Sequence, residues 1–154
     1  MTPADAEIYR KYADDLVRFA SGLVGPSGAE DVVANAVLRA ISGAQWTRVS
    51  NQRAYLYRSV LNEATSQHRA TTRRLNREIG AHRRETAPGD DGSSVDLDVL
   101  VALRRLSERQ RAVIHLTYWE DLPVADIASL LDLSIRTVER ELTSARKRLE
   151  ALLS

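Results

Sequence analysis

Seven polar side chains recur along one stretch near the end of the chain, IRTVERELTSARKRLEALL: Arg136, Thr137, Glu139, Arg140, Thr143, Arg146 and Lys147. On a helix these positions share a polar face that can reach base edges at its N-terminal end and phosphates toward its C-terminal end. The blander alternative is that Arg146, Lys147 and Arg148 complement the helix dipole and keep the surface hydrated. A second constellation lies mid-chain, where arginines interleave with Trp46, Tyr55, Tyr57 and His68. Cations beside flat rings are what hold unstacked single strands. Tyr57 falls on an apolar stripe and reads as core, whereas Trp46 and Tyr55 have weaker packing claims. Asp14, Asp15, Asp31, Asp126 and Asp132 lack a glycine-rich phosphate loop, a histidine partner or a metal constellation, so they read as solvated surface rather than paired catalytic acids. His68, His82 and His115 show no i, i+4 pairing with one another, and cysteine is absent. No metal site, cofactor, disulfide or enzymatic chemistry is expected.

The elements that must position these groups read as helices. Thr2, Pro3 and Asp5 make a start signal before Ile8, Tyr12, Leu16, Phe19 and Leu23. GPSG at 25–28 breaks that helix, and Ser27 with Glu30 predicts a second start before Val33, Ala36, Val37, Ala40 and Ile41, closed by Gly43. Ser50 is the predicted cap of a third helix with Ala54, Tyr57, Leu61 and Ala64 on its apolar face. Leu97, Leu100, Leu103 and Leu106 predict a short helix, and Ser107 with Gln110 opens another through Val113, Leu116 and Trp119. Pro123 then starts VADIASLLDL, DLS at 132–134 turns, and Ser134 caps the polar-faced stretch. Ile127, Ala128, Leu133, Val138 and Leu142 are spaced as two short helices crossing steeply need, a helix-turn-helix. Asp132 stands where glycine is usual in such turns, and aspartate tolerates left-handed backbone better than most residues.

Across 154 residues the net charge is only +1, but it is unevenly spread. Residues 41–86 hold 9 basic and 3 acidic groups, against 4 and 6 over residues 1–40, 2 and 5 over 87–108, and 7 and 7 over 109–154. TAPGDDGSS at 86–94 combines Pro, Gly, Ser and Asp without periodicity, the composition of a flexible linker. The expectation is an all-α chain of two small helical domains, 1–85 and 96–154, joined by an acidic flexible linker at 86–95. No apolar stretch reaches the length of a membrane span and the polar N-terminus carries no signal-peptide pattern, so a cytoplasmic protein is expected.

Two segments together resemble the bacterial sigma-70 family, in particular its small extracytoplasmic-function group. YRKYADDLVRFASGLVGPSGAEDVVANAVLRAI with NQRAYLYRSVLNEATSQHR resembles region 2, and LRRLSERQRAVIHLTYWEDLPVADIASLLDLSIRTVERELTSARKRLEALL resembles region 4. The resemblance implies a non-enzymatic specificity subunit whose partners are core RNA polymerase and promoter DNA, with an anti-sigma factor as a further partner it allows. Carried onto this chain, it puts Asp31, Asn35 and Arg39 on the polymerase-binding helix. It places Asn51, Arg53, Tyr55, Arg58 and Asn62 at the melted minus-10 strand, where the basic segment adds Trp46 and Arg69. The polar face of the last helix becomes the reader of the minus-35 duplex, and the flap of a large polymerase subunit is its neighbour. The chain departs from the family where Asp, two apolar residues, Gln, an acid, one further residue and Phe are common: it has Asp31, Val32, Val33, Ala34, Asn35, Ala36 and Val37. Glu139 and Glu141 also stand where basic or small polar residues are frequent. Two rival readings follow, a polymerase-independent helix-turn-helix regulator and a degenerate interaction module.

Overall fold

The computed structural model describes residues 2–79 and 97–153. In chain order the elements are α1 (Pro3–Val24), α2 (Pro26–Ser42), a 3-10 turn (Trp46–Arg48), α3 (Gln52–Ile79), α4 (Leu97–Arg104), α5 (Glu108–Tyr118), α6 (Val124–Leu131) and α7 (Ile135–Leu153). The predicted 86–95 linker lies outside the described residues.

Local chemistry sets the helix starts. The Thr2 side chain accepts the Asp5 N–H at 3.1 Å while the Asp5 carboxylate accepts the Thr2 N–H at 3.2 Å, a reciprocal cap that satisfies two otherwise orphaned donors. Ser107 and Gln110 make the same box at α5. The two other predicted starts shift. The α1–α2 break is made by Gly25 at φ 90°, with Pro26 as the first residue of α2 and no side-chain cap, so the Ser27–Glu30 box does not form. A positive φ admits glycine at low cost, and proline needs no N–H partner in a first turn. At α3, Asn51 rather than Ser50 supplies the capping oxygen, accepting the Ala54 N–H at 3.0 Å.

The predicted apolar stripes meet in the interior. Leu16, Phe19 and Leu23 of α1, Val33, Ala36 and Val37 of α2, and Ala54, Tyr57 and Ala64 of α3 are buried, as are Val113, Leu116, Ile127, Val138 and Leu142 beyond them. Trp119 leaves the pattern: it is 59% exposed and forms the C-cap of α5.

The two halves are docked rather than separate. α5 packs on α1 and α3, and α6 packs on α3, so one continuous apolar core runs from Leu16 and Val60 to Leu116 and Ile127. The physical reason is size. A half of this length hides only about 60% of its unfolded surface by itself, and docking removes more apolar area from water. Polar pairs cross the seam at Arg18–Glu120 (3.4 Å) and His68–Glu108 (3.3 Å).

Candidate nucleic-acid interface

The α6–α7 turn is built on Asp132, which sits in left-handed backbone at φ 59°, ψ 46° and closes α6 through its N–H to the Ala128 carbonyl. The Leu133 N–H reaches the same carbonyl at 2.9 Å. Ala128, 6% exposed, keeps the crossing close. Ser134 caps α7 by accepting the Thr137 N–H at 3.0 Å, and its hydroxyl lies 2.9 Å from that of Thr137. Val138, Leu142 and Ala145 bury one side of α7, and the other side exposes Arg136, Glu139, Arg140, Thr143 and Lys147. Thr137 is half-buried and committed to the cap. Arg146 turns sideways to α5, where its Nε donates to the Tyr118 hydroxyl at 2.8 Å and its guanidinium lies 5.7 Å from that ring's centre. Glu141 also faces α5, near Arg109 (3.5 Å) and Gln110 (3.4 Å). Of the two glutamates that would oppose phosphate, only Glu139 remains on the open face.

The mid-chain constellation divides in two. Trp46 is in the core, 2% exposed, and its indole N–H donates to Asp5 Oδ1 at 2.9 Å. That bond, with the Thr2 cap, holds the Asp5 carboxyl below its ordinary pKa. The expected open Trp46 platform is therefore corrected: the 3-10 turn folds its ring inward, where the large apolar area is worth more than exposure. Arg53 covers the ring of Tyr57 at 5.1 Å. Tyr57 is core as expected, its hydroxyl pushed up to about 12 by burial. The remaining residues, Asn51, Tyr55, Arg58, Asn62 and Arg69, recur at helical spacing along one outward stripe, with Asn51, Asn62 and Arg69 exposed. The Tyr55 ring is half-buried, tilted 53° to Trp46 at 6.0 Å, and the Arg58 guanidinium sits 5.8 Å from its centre.

On α2, Asp31, Ala34, Asn35 and Arg39 are exposed, and Arg39 pairs with the buried Glu63 of α3 at 3.4 Å. Val37, where the family pattern has an aromatic, is only 4% exposed. Sequence reasoning missed Leu38, which is 58% exposed on the same outward stripe. An apolar residue one place beyond a predicted core position was the available signal.

With this geometry in place, comparison with known proteins is decisive. Residues 8–74 match the family described as Sigma-70 region 2, and residues 96–149 match Sigma-70, region 4. RNA polymerase sigma-E factors of Streptomyces coelicolor and Streptomyces antibioticus are each 31% identical over 150 residues, covering 93% of this chain and 82% and 81% of theirs. The chain belongs to the sigma-70 family. A solved structure of the sigma factor RpoE in complex with the anti-sigma factor NepR, from Bartonella quintana, is similar with a TM-score of 0.72 and 28% identity, covering 99% of this chain and 98% of that one. This sigma factor is of the extracytoplasmic-function type, and sigma factors of this family direct core RNA polymerase to promoters. Among the described residues, no helix is long and apolar enough to cross a membrane.

Two further features of the sigma factor were not legible beforehand. Arg111, its side chain 10% exposed, joins α4 to α5 by donating to the carbonyls of Leu103 (3.3 Å), Arg104 (3.1 Å) and Leu106 (2.9 Å) and to Glu108 (3.1 Å). Burial holds its pKa below that of a free guanidinium. A groove of about 640 Å³ between α4, α5 and α7 is lined by Val99, Leu103, Ile114, Tyr118, Trp119 and Leu153, with Arg146 at its edge.

Proposed function

We propose that α7 reads the minus-35 duplex through Arg136, Arg140, Thr143 and Lys147, with Glu139 restricting which bases fit. Its exposed basic stripe, opposite the buried Val138–Leu142–Ala145 side, is the single observation that carries this reading. Thr137 acts by capping, and Arg146 acts from the side of the helix, beside Tyr118. Asn51, Tyr55, Arg58, Asn62 and Arg69 form the track for the melted minus-10 strand, where the Arg58–Tyr55 pair offers both a cation and a ring edge to an unstacked base. Arg53 and Trp46 support that track from behind by packing. Core polymerase binds the α2 stripe of Asp31, Ala34, Asn35 and Leu38, with Arg39 steadied by Glu63.

The α4–α5–α7 groove is the apolar surface for the polymerase flap. An anti-sigma factor is a partner of this chain too, by likeness to the RpoE–NepR complex. The protein works without catalysis or cofactor, in the cytoplasm, as a specificity subunit with domains 1–85 and 96–154 on either side of residues 86–95. The test is in vitro transcription from genomic DNA with core polymerase. Discrete start sites that vanish when Arg136 and Arg140 are both alanine support the assignment. Unchanged start sites with the double variant refute it.

A further inference from the structure

The segment that leads from α2 into the minus-10 track is tied down by a side chain from the first turn of α1. Of residues 43–51 only Trp46 is buried; Gln45, Thr47, Arg48, Ser50 and Asn51 are exposed. The 3-10 turn holds itself weakly. The Trp46 N–H reaches the Gly43 carbonyl, and the Val49 N–H the Trp46 carbonyl, each at 3.3 Å, long for a backbone bond. Where the indole goes therefore decides where the turn sits. The ring lies in the core, and its N–H ends on Asp5 Oδ1 at 2.9 Å, 41 residues earlier in the chain.

Asp5 divides its two oxygens between two tasks. Oδ2 accepts the Thr2 N–H at 3.2 Å and completes the cap of α1, whereas Oδ1 is given to the indole. A cap needs only the first of these. Burial of α1 needs neither, since its buried residues begin at Leu16, about 16 Å further along the helix. Both bonds favour the carboxylate, the indole's most, so Asp5 is ionised at neutral pH, and a charged acceptor makes the stronger bond. A buried indole N–H that loses its acceptor costs more than the bond contributed, which turns the ring toward water.

What moves with that ring is Tyr55. The two ring centres are 6.0 Å apart at a tilt of 53°, within the range where aromatic pairs attract, and the Arg58 guanidinium lies 5.8 Å from the Tyr55 centre. A chain of contacts thus runs from Asp5 through Trp46 and Tyr55 to Arg58.

We propose that Asp5 is a positioning residue for capture of the melted minus-10 strand: by holding the Trp46 indole it fixes the Tyr55 ring, and with it the Arg58 cation, in the pose that an unstacked base meets. This role rests on the minus-10 reading above and extends it to the first turn of α1, ahead of residue 8, where the region 2 match begins.

Three substitutions separate the tie from the cap. Thr2→Ala weakens the cap and leaves the indole bond. Asp5→Ala removes both. Asp5→Asn returns an oxygen to the indole but gives up the charge and turns an amide toward the Thr2 N–H. Two tryptophans give two indole N–H resonances in the free chain, and Trp119→Phe assigns them. The Trp46 resonance should exchange slowly with solvent in the unmodified protein, in Thr2→Ala and in Asp5→Asn, and fast in Asp5→Ala. Strand capture is then measured with the full chain on core polymerase. The probes are a labelled single strand covering the minus-10 sequence of the strongest start site found on genomic DNA, and a duplex covering its minus-35 sequence.

Asp5→Ala should weaken single-strand binding about tenfold, the scale of one base–ring stacking contact, with core and duplex affinities unchanged. Asp5→Asn should recover most of that loss, and Thr2→Ala should lose little. If Asp5→Ala does not fold, Trp46→Phe takes its place, because it removes the donor and keeps Asp5 and the cap, and the same loss is expected. Slow indole exchange in Asp5→Ala overturns the tie. An equal loss in Thr2→Ala, or equal losses on strand and duplex, makes helix stability the cause and overturns the positioning role. Undiminished strand binding in Asp5→Ala or Trp46→Phe, while Tyr55→Ala is defective, overturns that role and leaves the minus-10 reading standing. Wild-type strand binding by Tyr55→Ala, or absence of any start site, overturns the minus-10 reading itself, and the positioning role falls with it.

Discussion

Replacing Leu38 with alanine tests the polymerase-binding stripe of α2 with little risk to the fold. Fully burying a leucine is worth about 1.5–3 kcal/mol, and Leu38 leaves 58% of its surface in water. A partner that covers the remainder therefore gains about 1–2 kcal/mol from this side chain, which corresponds to about 5- to 30-fold in affinity. Alanine removes most of that area and is the better helix former, so thermal unfolding of the free protein should not fall. The neighbouring Val37→Phe change should do the reverse. Val37 is 4% exposed, and forcing extra volume into a packed site costs about 1–3 kcal/mol, or about 2–4 °C in Tm per kcal/mol for a chain of this size. The motif-restoring pair Ala34→Gln and Asn35→Glu faces outward and should tighten core-polymerase binding about tenfold without moving Tm. The assay is titration of core polymerase with labelled sigma factor beside thermal scans of each variant. Unchanged affinity in Leu38→Ala, or a tighter-binding Val37→Phe with unchanged Tm, would refute this placement of the stripe.

Arg136→Ala or Arg140→Ala should each weaken binding to a cognate minus-35 duplex by about 1–3 kcal/mol; equal losses on random DNA would make them phosphate contacts. Arg111→Ala should destabilise the chain by about 3–5 kcal/mol, because it takes the buried guanidinium away from the buried Glu108 and from the Leu106 carbonyl, and denaturant unfolding would measure it. Trp46→Phe removes the donor that lowers the Asp5 pKa. Stability from a lowered carboxylate pKa is present above the unfolded value of about 3.9 and lost as pH falls through the folded one, so the acid-unfolding midpoint of Trp46→Phe should move to higher pH.

Much of this molecule is written in local pattern. Three-and-four spacing located all four long helices, because an apolar stripe must face a core whatever that core is. The Thr2 and Ser107 boxes were legible because a capping side chain reaches only three residues along the chain, and Asp132 because the left-handed turn between α6 and α7 is a local backbone state. The α7 face could be read for the same reason: Val138, Leu142 and Ala145 on one side leave Arg136, Arg140, Thr143 and Lys147 on the other. What depended on groups far apart in sequence was decided by tertiary packing. Trp46 was drawn into the core by a partner 41 residues away, Arg146 and Glu141 were turned aside by α5, and Val37 and Leu38, adjacent and both apolar, were sorted to opposite sides by what lies against α2. Docking of the halves belongs to the same class, since Arg18 of α1 finds Glu120 only when the halves meet: a helix specifies its own face, but not what it will face.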